Sequence, residues 1–269
     1  MRKYGFIGTG NMGGALAKAV SQKVDKGDIL LANRTREKAE TLARKLGCAA
    51  ADNAAVAAEC DYVFLGVKPQ MMSGMLAQIA PILAERKDRF VLVTMAAGLT
   101  MDTICQMAGG QYPVIRLMPN TPAAIGEGMI LYAANDLLTE SELAEFLEAM
   151  SPAGRFDRLD EKLIDAGSAV CGCGPAYAYM MIEALADGGV ACGLPRVKAM
   201  EYAAQMMAGA AKMVLETGKH PGELKDAVCS PGGSTIAGVR ALENGGFRAA
   251  AMNAVVVACE KNKELGKAK

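Results

Sequence analysis

A chain of 269 residues, 52% of them apolar, has more to bury than one small core takes, so two domains are the starting expectation. Lys and Arg together number 29 and so do Asp and Glu, a balance that argues against a nucleic-acid partner or an anionic membrane surface. A single histidine leaves no histidine-cluster metal site to propose, and with no uncharged run of about 18 residues no membrane span is expected.

Tyr4 to Ile7 reads as a short apolar strand. It runs directly into Gly8-Thr9-Gly10-Asn11-Met12-Gly13 and then a helix through Leu16 and Val20. A G-x-G-x-x-G pattern between strand and helix is the setting in which it binds a dinucleotide. Gly8 permits the tight turn, Gly10 lets backbone approach a pyrophosphate, and Gly13 lets helix and strand pack closely. The second strand, Asp28 to Ala32, ends in Asn33-Arg34-Thr35-Arg36. An enzyme using NAD usually places an acid here for the ribose 2′-hydroxyl. An amide, a hydroxyl and two guanidiniums favour a 2′-phosphate, and so NADPH over NADH. The plain alternative is a group of solvated charges at a helix start.

Strand and helix keep alternating. A helix from Thr35 to Leu46 leads to a short strand near Cys48 and a helical turn around Asn53 to Ala58. Strands follow at Asp61 to Val67, Phe90 to Thr94 and Val114 to Leu117. They end in Lys68-Pro69, Ala96-Ala97-Gly98 and Met118-Pro119-Asn120-Thr121-Pro122. In a doubly wound sheet, ligands collect at the carboxyl ends of strands, so these ends together point to a cofactor cleft.

From about Glu161 the strand signals stop and helical runs take over: Pro175 to Cys192, Pro195 to Thr217, Glu223 to Cys229, Thr235 to Asn244 and Phe247 to Leu265. The first of these is apolar nearly all round, and burial against a second subunit is the expected remedy. Glu183 and Asp187 share one face of it and read as interface carboxylates rather than catalysts. Pro231-Gly232-Gly233 stops one helix, and Ser234 and Thr235 are natural caps for the next. That end carries two hydroxyls and unpaired N–H groups, which suit a carboxylate. Of eight cysteines, Cys48, Cys60, Cys105, Cys192, Cys229 and Cys259 look like small core residues. Cys171 and Cys173 stand too close together for an easy disulfide. With no secretory signal in MRKYGFIGTG, a reducing cytoplasm is the expected compartment.

The chain resembles the pyrroline-5-carboxylate reductase family from end to end. The likeness rests on IGTGNMGGAL at the start, GVKP at Gly66 to Pro69, MAAG at Met95 to Gly98 and RLMPNTPA at Arg116 to Ala123. LKDAVCSPGGSTIAGVRALE is the most specific piece. The resemblance implies an α/β Rossmann domain with a doubly wound, mostly parallel sheet over residues 1–160. An all-helical substrate and dimerisation domain over 161–269 would follow, the dimers often assembling as decamers of five. It implies hydride transfer from NADPH, with NADH as the alternative donor, to the C=N carbon of 1-pyrroline-5-carboxylate, giving L-proline in the last step of its biosynthesis. Cofactor contacts carried over are Gly8, Gly10, Asn11, Met12, Asn33, Arg34, Asn53, Val67, Lys68, Pro69, Ala96 and Ala97. Gly233, Ser234 and Thr235 are carried over for substrate, with Thr235 as the catalytic residue and no metal. The substrate carboxylate would rest on the N–H groups of Gly233 to Thr235, and the Thr235 hydroxyl would meet the ring nitrogen. The chain departs from the family pattern at Cys171 and Cys173, where serines are usual, and at Ala227, where some relatives have Asn.

Three rivals stand beside this reading: another imine reductase, a hydroxyacid dehydrogenase of the same plan, and a non-catalytic NADPH-binding module. The dehydrogenase would need a lysine shortly past a glycine-rich helix start, and Gly167 to Tyr179 contains no Lys, Arg or His. The binding module would take up cofactor without imine-dependent oxidation of it.

Overall fold

The computed structural model describes residues 3–267. The chain divides into two compact units. One runs through Cys173 and resumes at Ala258; the other is Gly174–Val257.

In the first unit β1 (Tyr4–Ile7), α1 (Asn11–Val20), β2 (Ile29–Ala32), α2 (Arg36–Leu46), β3 (Ala49–Ala50), α3 (Asn53–Glu59) and β4 (Tyr62–Leu65) alternate. The alternation continues through α4 (Pro69–Glu85), β5 (Val91–Thr94), α5 (Met101–Ala108) and β6 (Val114–Met118). A 3-10 turn (Thr121–Ile125), β7 (Gly128–Ala134), α6 (Glu140–Met150), β8 (Gly154–Arg158) and α7 (Ile164–Cys171) complete it. One eight-stranded sheet has the order β3-β2-β1-β4-β5-β6-β7-β8, and only the β6–β7 pair is antiparallel. The chain winds outward from β1 to β3, then returns to place β4 on the other side of β1. That reversal opens a crevice between the carboxyl ends of β1 and β4.

Both faces of the sheet are covered, so its central strands are mostly apolar and the side chains sort by alternation. Tyr4, Phe6, Tyr62, Phe64, Val91, Val93, Ile115 and Leu117 face α1, α2 and α6. Ile7, Val63, Leu65, Leu92 and Val114 face α3, α4 and α5. Across β1 and β4 the rings stack in pairs, Phe6 on Phe64 at 4.2 Å and Tyr4 on Tyr62 at 5.1 Å, with Phe146 of α6 laid over both Tyr62 and Phe64.

Arg116 is the exception in β6. Its side chain is 2% exposed and donates to Asp165 at 2.9 Å and Glu161 at 3.4 Å, while its Nε has no partner. A buried guanidinium needs its carboxylates, so Asp165 binds α7 to the sheet, aided by Ile164 and Ala169 in full burial. The side-chain amide of Asn120 adds a bond to the Cys171 carbonyl (3.0 Å), and that of Asn262 one to the Asp165 carbonyl (3.1 Å). The expected domain division at 160/161 is therefore not where the packing divides. α7 stays with the sheet, and the end of the last helix returns to it.

The second unit holds α8 (Gly174–Ala191), α9 (Arg196–Thr217), α10 (Pro221–Ala227), α11 (Ser234–Asn244) and the first part of α12 (Phe247–Lys267), inside which the division falls. Its own core is small: Ala186, Ala199 and Ala203, with Ile182 and Val190 against them. Many apolar side chains stay outside, including Val197 at 77% exposed, Leu215 at 71% and Met180 at 70%. Asp187 pairs with Arg196 at the start of α9. By length and composition Glu161–Ala191 also has the makings of a membrane-crossing helix, which the uncharged-run criterion missed. Of the six cysteines read as core residues, Cys60 and Cys105 are buried, three are half-buried and Cys192 is exposed. Cys192 differs because it lies in the turn after α8, where every residue from Ala191 to Lys198 is exposed. Burial and neighbouring Glu59 push the Cys60 thiol up to about 12, leaving it inert.

Glu142 ties α6 to the sheet unit. Its carboxylate accepts from Thr139 N at 2.9 Å while Thr139 Oγ1 accepts from Glu142 N at 3.2 Å, a reciprocal cap. Arg89 grips both oxygens at 2.8 and 2.9 Å. These bonds, Arg89 foremost, pull the carboxyl from 4.5 to about 2 despite its burial. A depressed folded pKa gives stability that is present above the unfolded value and lost as pH falls from 4.5 towards 2. Glu142→Gln, which can still close the cap, should lose about 2 kcal/mol at neutral pH, less than the full shift implies because Arg89 is half-exposed. Urea unfolding across pH checks this: the gap to the parent protein should close through that acid window.

Candidate functional site

The crevice at the strand-order reversal is the mouth of a cleft of about 1400 Å³. Its shape begins with three glycines in near contact. Gly8 has φ +101°, and a Cβ on it would lie 2.5 Å from the Gly66 carbonyl oxygen. A Cβ on Gly66 would meet the Gly8 oxygen at 2.5 Å, and one on Gly13 would meet it at 2.1 Å. Side chains at any of the three would push β1, α1 and the end of β4 apart. Gly10 is different: its Cβ position is open, with nothing within 4 Å, which leaves room for a ligand to approach the backbone.

Helix ends supply the electrostatics. Gly10, Thr35 and Lys68 are the N-caps of α1, α2 and α4, and none makes a side-chain cap bond. Unpaired N–H groups at these ends favour negative charge. Arg34, Arg36, Lys38 and Lys68 add side-chain cations to the wall. Asp52 is the one carboxylate among the described residues lining the cleft, and its Oδ1 is occupied by Ala55 N at 2.8 Å, capping α3.

All twelve residues expected to contact a cofactor line this one cleft: Gly8, Gly10, Asn11, Met12, Asn33, Arg34, Asn53, Val67, Lys68, Pro69, Ala96 and Ala97. Asn33 has a further job. Its Oδ1 accepts from Thr9 N at 3.2 Å and its Nδ2 donates to the Thr35 carbonyl at 3.1 Å, so it pins the glycine turn to the loop after β2. Residues that the sequence reading passed over also line the wall, among them Lys38, Met71, Gly74, Met75 and Gln78. The last four recur at helical spacing from the start of α4, and that period marks one face of it. Lys38 carried no motif.

Gly233, Ser234 and Thr235 belong to the helical unit. Gly233, not Ser234 or Thr235, is the N-cap of α11; the two hydroxyl residues are its first helical residues, and no side chain caps the end. Gly232 at φ +68° makes the turn that leaves both exposed. The helix end thus keeps free N–H groups beside two unclaimed hydroxyls, a fit for a carboxylate and a weak base. His220 is spent as the N-cap of α10, its Nδ1 accepting from Gly222 N at 3.0 Å. Among the described residues no three His, Cys, Asp or Glu side chains gather as a metal site.

Residues 161–265 match the family model described as pyrroline-5-carboxylate reductase dimerisation, and residues 3–98 match NADP oxidoreductase coenzyme F420-dependent. Pyrroline-5-carboxylate reductase of Escherichia coli (strain K12) is 42% identical over 269 residues, covering 99% of each chain. That of Glycine max is 41% identical over 268 residues, 97% of this chain and 95% of its own. A crystal structure of Plasmodium falciparum pyrroline carboxylate reductase with NADP bound superposes with a TM-score of 0.88 at 31% identity, covering 98% of each chain. With likeness of this degree along its whole length, the chain belongs to the pyrroline-5-carboxylate reductase family.

Proposed function

We propose that this chain reduces 1-pyrroline-5-carboxylate to L-proline with NADPH as donor. The observation that carries the reading is one cleft, at the reversal of strand order, lined by all twelve residues carried over from the family for cofactor contact. The cleft suits a dinucleotide: the Gly8–Gly13–Gly66 contact clears a path for the pyrophosphate, and three uncapped helix ends face it with cations at the β2 side. When bound, the reduced nicotinamide supplies the hydride that adds to the C=N carbon. The chain's own part is positioning. The N–H groups at the start of α11 hold the substrate carboxylate, and the Thr235 hydroxyl donates a hydrogen bond to the ring nitrogen, while the proton that nitrogen gains as the hydride adds to carbon comes from solvent. No strong base is required, because no alcohol is being stripped of its proton.

Self-association accompanies this function. The uncovered apolar faces of α8, α9 and α12 support a dimer built through the helical unit, and a further assembly of five such dimers extends the same reading. Eight free cysteines support a reducing compartment, the cytoplasm.

The first test is oxidation of NADPH followed by absorbance, which should depend on added pyrroline-5-carboxylate; binding without turnover would instead fit a non-catalytic module. Thr235→Ala should lower kcat/KM by about a hundredfold while leaving the Kd for NADP+ within about twofold, and Thr235→Ser should recover most of the loss. Full turnover in the alanine variant would remove Thr235 from the mechanism. Gly66→Ala should instead weaken NADP+ binding by about tenfold or more, by forcing the Gly8 carbonyl out of its slot. Calorimetry on the folded variant measures this, and unchanged affinity would show that the contact does not shape the site.

A further inference from the structure

A second hollow, of about 560 Å³, lies within the sheet unit at the far end of α1 from the glycine turn. It shares no residue with the cofactor cleft. Asn11, Met12 and Gly13 at the start of α1 face the cleft, while Lys18, Ser21 and Gln22 at its end face the hollow. Three lysines from three elements meet there: Lys18 in the last turn of α1, Lys26 before β2 and Lys45 in the last turn of α2. Among the described residues lining it there is no carboxylate. Lys26 is laid across the end of α2, since a Cβ on its C-cap, Gly47, would lie 3.3 Å from Lys26 Cδ and 3.9 Å from Nζ. Among the described residues the Lys26 and Lys45 ammonium groups have no ion-pair or hydrogen-bond partner. Lys18 Nζ gives one of its three donors to the Ala124 carbonyl at 3.1 Å and keeps two. Lys23, by contrast, is neutralised by Glu148 at 2.6 Å and stands outside the hollow. Asp25, next to Lys26, is turned back on Gly27 N at 2.7 Å, and Asp28 does not line the hollow.

A lysine in the last turn of a helix answers the negative end of the helix dipole, which accounts for Lys18 and Lys45 taken singly. It does not account for Lys26 joining them at one hollow with no carboxylate between. Like charges gathered in this way repel one another, and an anion seated among them removes that cost. We propose that the hollow binds a small polyanion, a molecule carrying at least two phosphate or carboxylate groups, away from the reaction site. Lysine acts as a point charge and not as a planar fork, so the site selects by charge and serves either kind of group. The Gln22 side-chain amide adds a neutral donor to the same wall. The volume lies in the range of small-molecule sites, roughly 300–1,000 Å³, and exceeds what a lone phosphate ion fills. None of these residues has a part in holding the cofactor or the imine, so the inference stands apart from the functional reading.

The test is calorimetric titration of the full chain with tripolyphosphate, citrate and inorganic phosphate, each with NADP+ held at saturation so that the cationic cleft is already filled. At least one of the two polyanions should bind once per chain, about tenfold or more tightly than inorganic phosphate. Which of them binds assigns the class as oligophosphate or polycarboxylate. Lys26→Gln and Lys45→Gln together should weaken that binding by about tenfold, and either alone a few-fold. Lys23→Gln, which removes an equal charge just outside the hollow, should change it by less than about twofold. The inference is overturned if neither polyanion binds, or if Lys23→Gln costs as much as the double variant. It is also overturned if binding is seen only when NADP+ is left out, which places the anion in the cleft. A parent protein without affinity for NADP+ overturns the functional reading, and the lysine variants then decide this inference alone.

Discussion

The Gly8 carbonyl oxygen occupies a slot in which no neighbour can carry a side chain. Gly13 approaches it from α1 and Gly66 from the end of β4, and a methyl group on either would overlap it. The backbone locks this approach in place: Gly66 N donates to the Ile7 carbonyl at 2.7 Å and Gly8 N to that of Ala32 at 2.8 Å. β1 is thereby held between β2 and β4 at the point where the winding reverses. Everything that gives the cleft its character follows from this closeness. It brings the N-termini of α1, α2 and α4 to one edge, and their unpaired N–H groups make that edge attractive to anions before any side-chain charge is counted.

Much of this unit was legible in the sequence because its signals are local. Tyr4–Ile7 is continuous apolar chain ended by glycine, and β4, β5 and β6 were recognisable as short buried strands closed by proline or small residues. What stayed hidden was set by distant partners. β8, Gly154–Arg158, shows little apolar pattern, since it is an edge strand with mostly exposed side chains. Nothing near Asp165 says that it will meet Arg116, and that ion pair is what keeps α7 with the sheet. The α11 start was legible as an anion-suited end, yet the identity of its cap was not: serine and threonine are the better caps by propensity, and the turn at Gly232 moved the cap back to Gly233.

The helical unit obeys different physics. Its helices carry small residues where they meet, so Ala186, Ala199 and Ala203 allow close approach but bury little area. Met180, Val197 and Leu215 remain in solvent on the other faces. A core of three alanines does not repay the ordering of helices this long, whereas covering the exposed faces would. The near-uniform apolarity of α8 therefore carries two meanings, which composition alone does not separate. It passes for a membrane span, and it is also what a helix needs when its burial comes from another copy of the chain.

Shape and selectivity are written in separate parts of the cleft. The slot around Gly8 tolerates no side chain, so its residues are bound to the fold itself. In the loop after β2 and the first turn of α2, Arg34, Arg36 and Lys38 are exposed. Changes there alter the charge at the rim of the cleft at almost no cost in stability. Asn33 is the hinge between the two parts, half-buried and bonded in both directions. A fold arranged this way can exchange the surface charges at the rim of the cleft while the glycine turn, fixed by backbone contact, stays as it is.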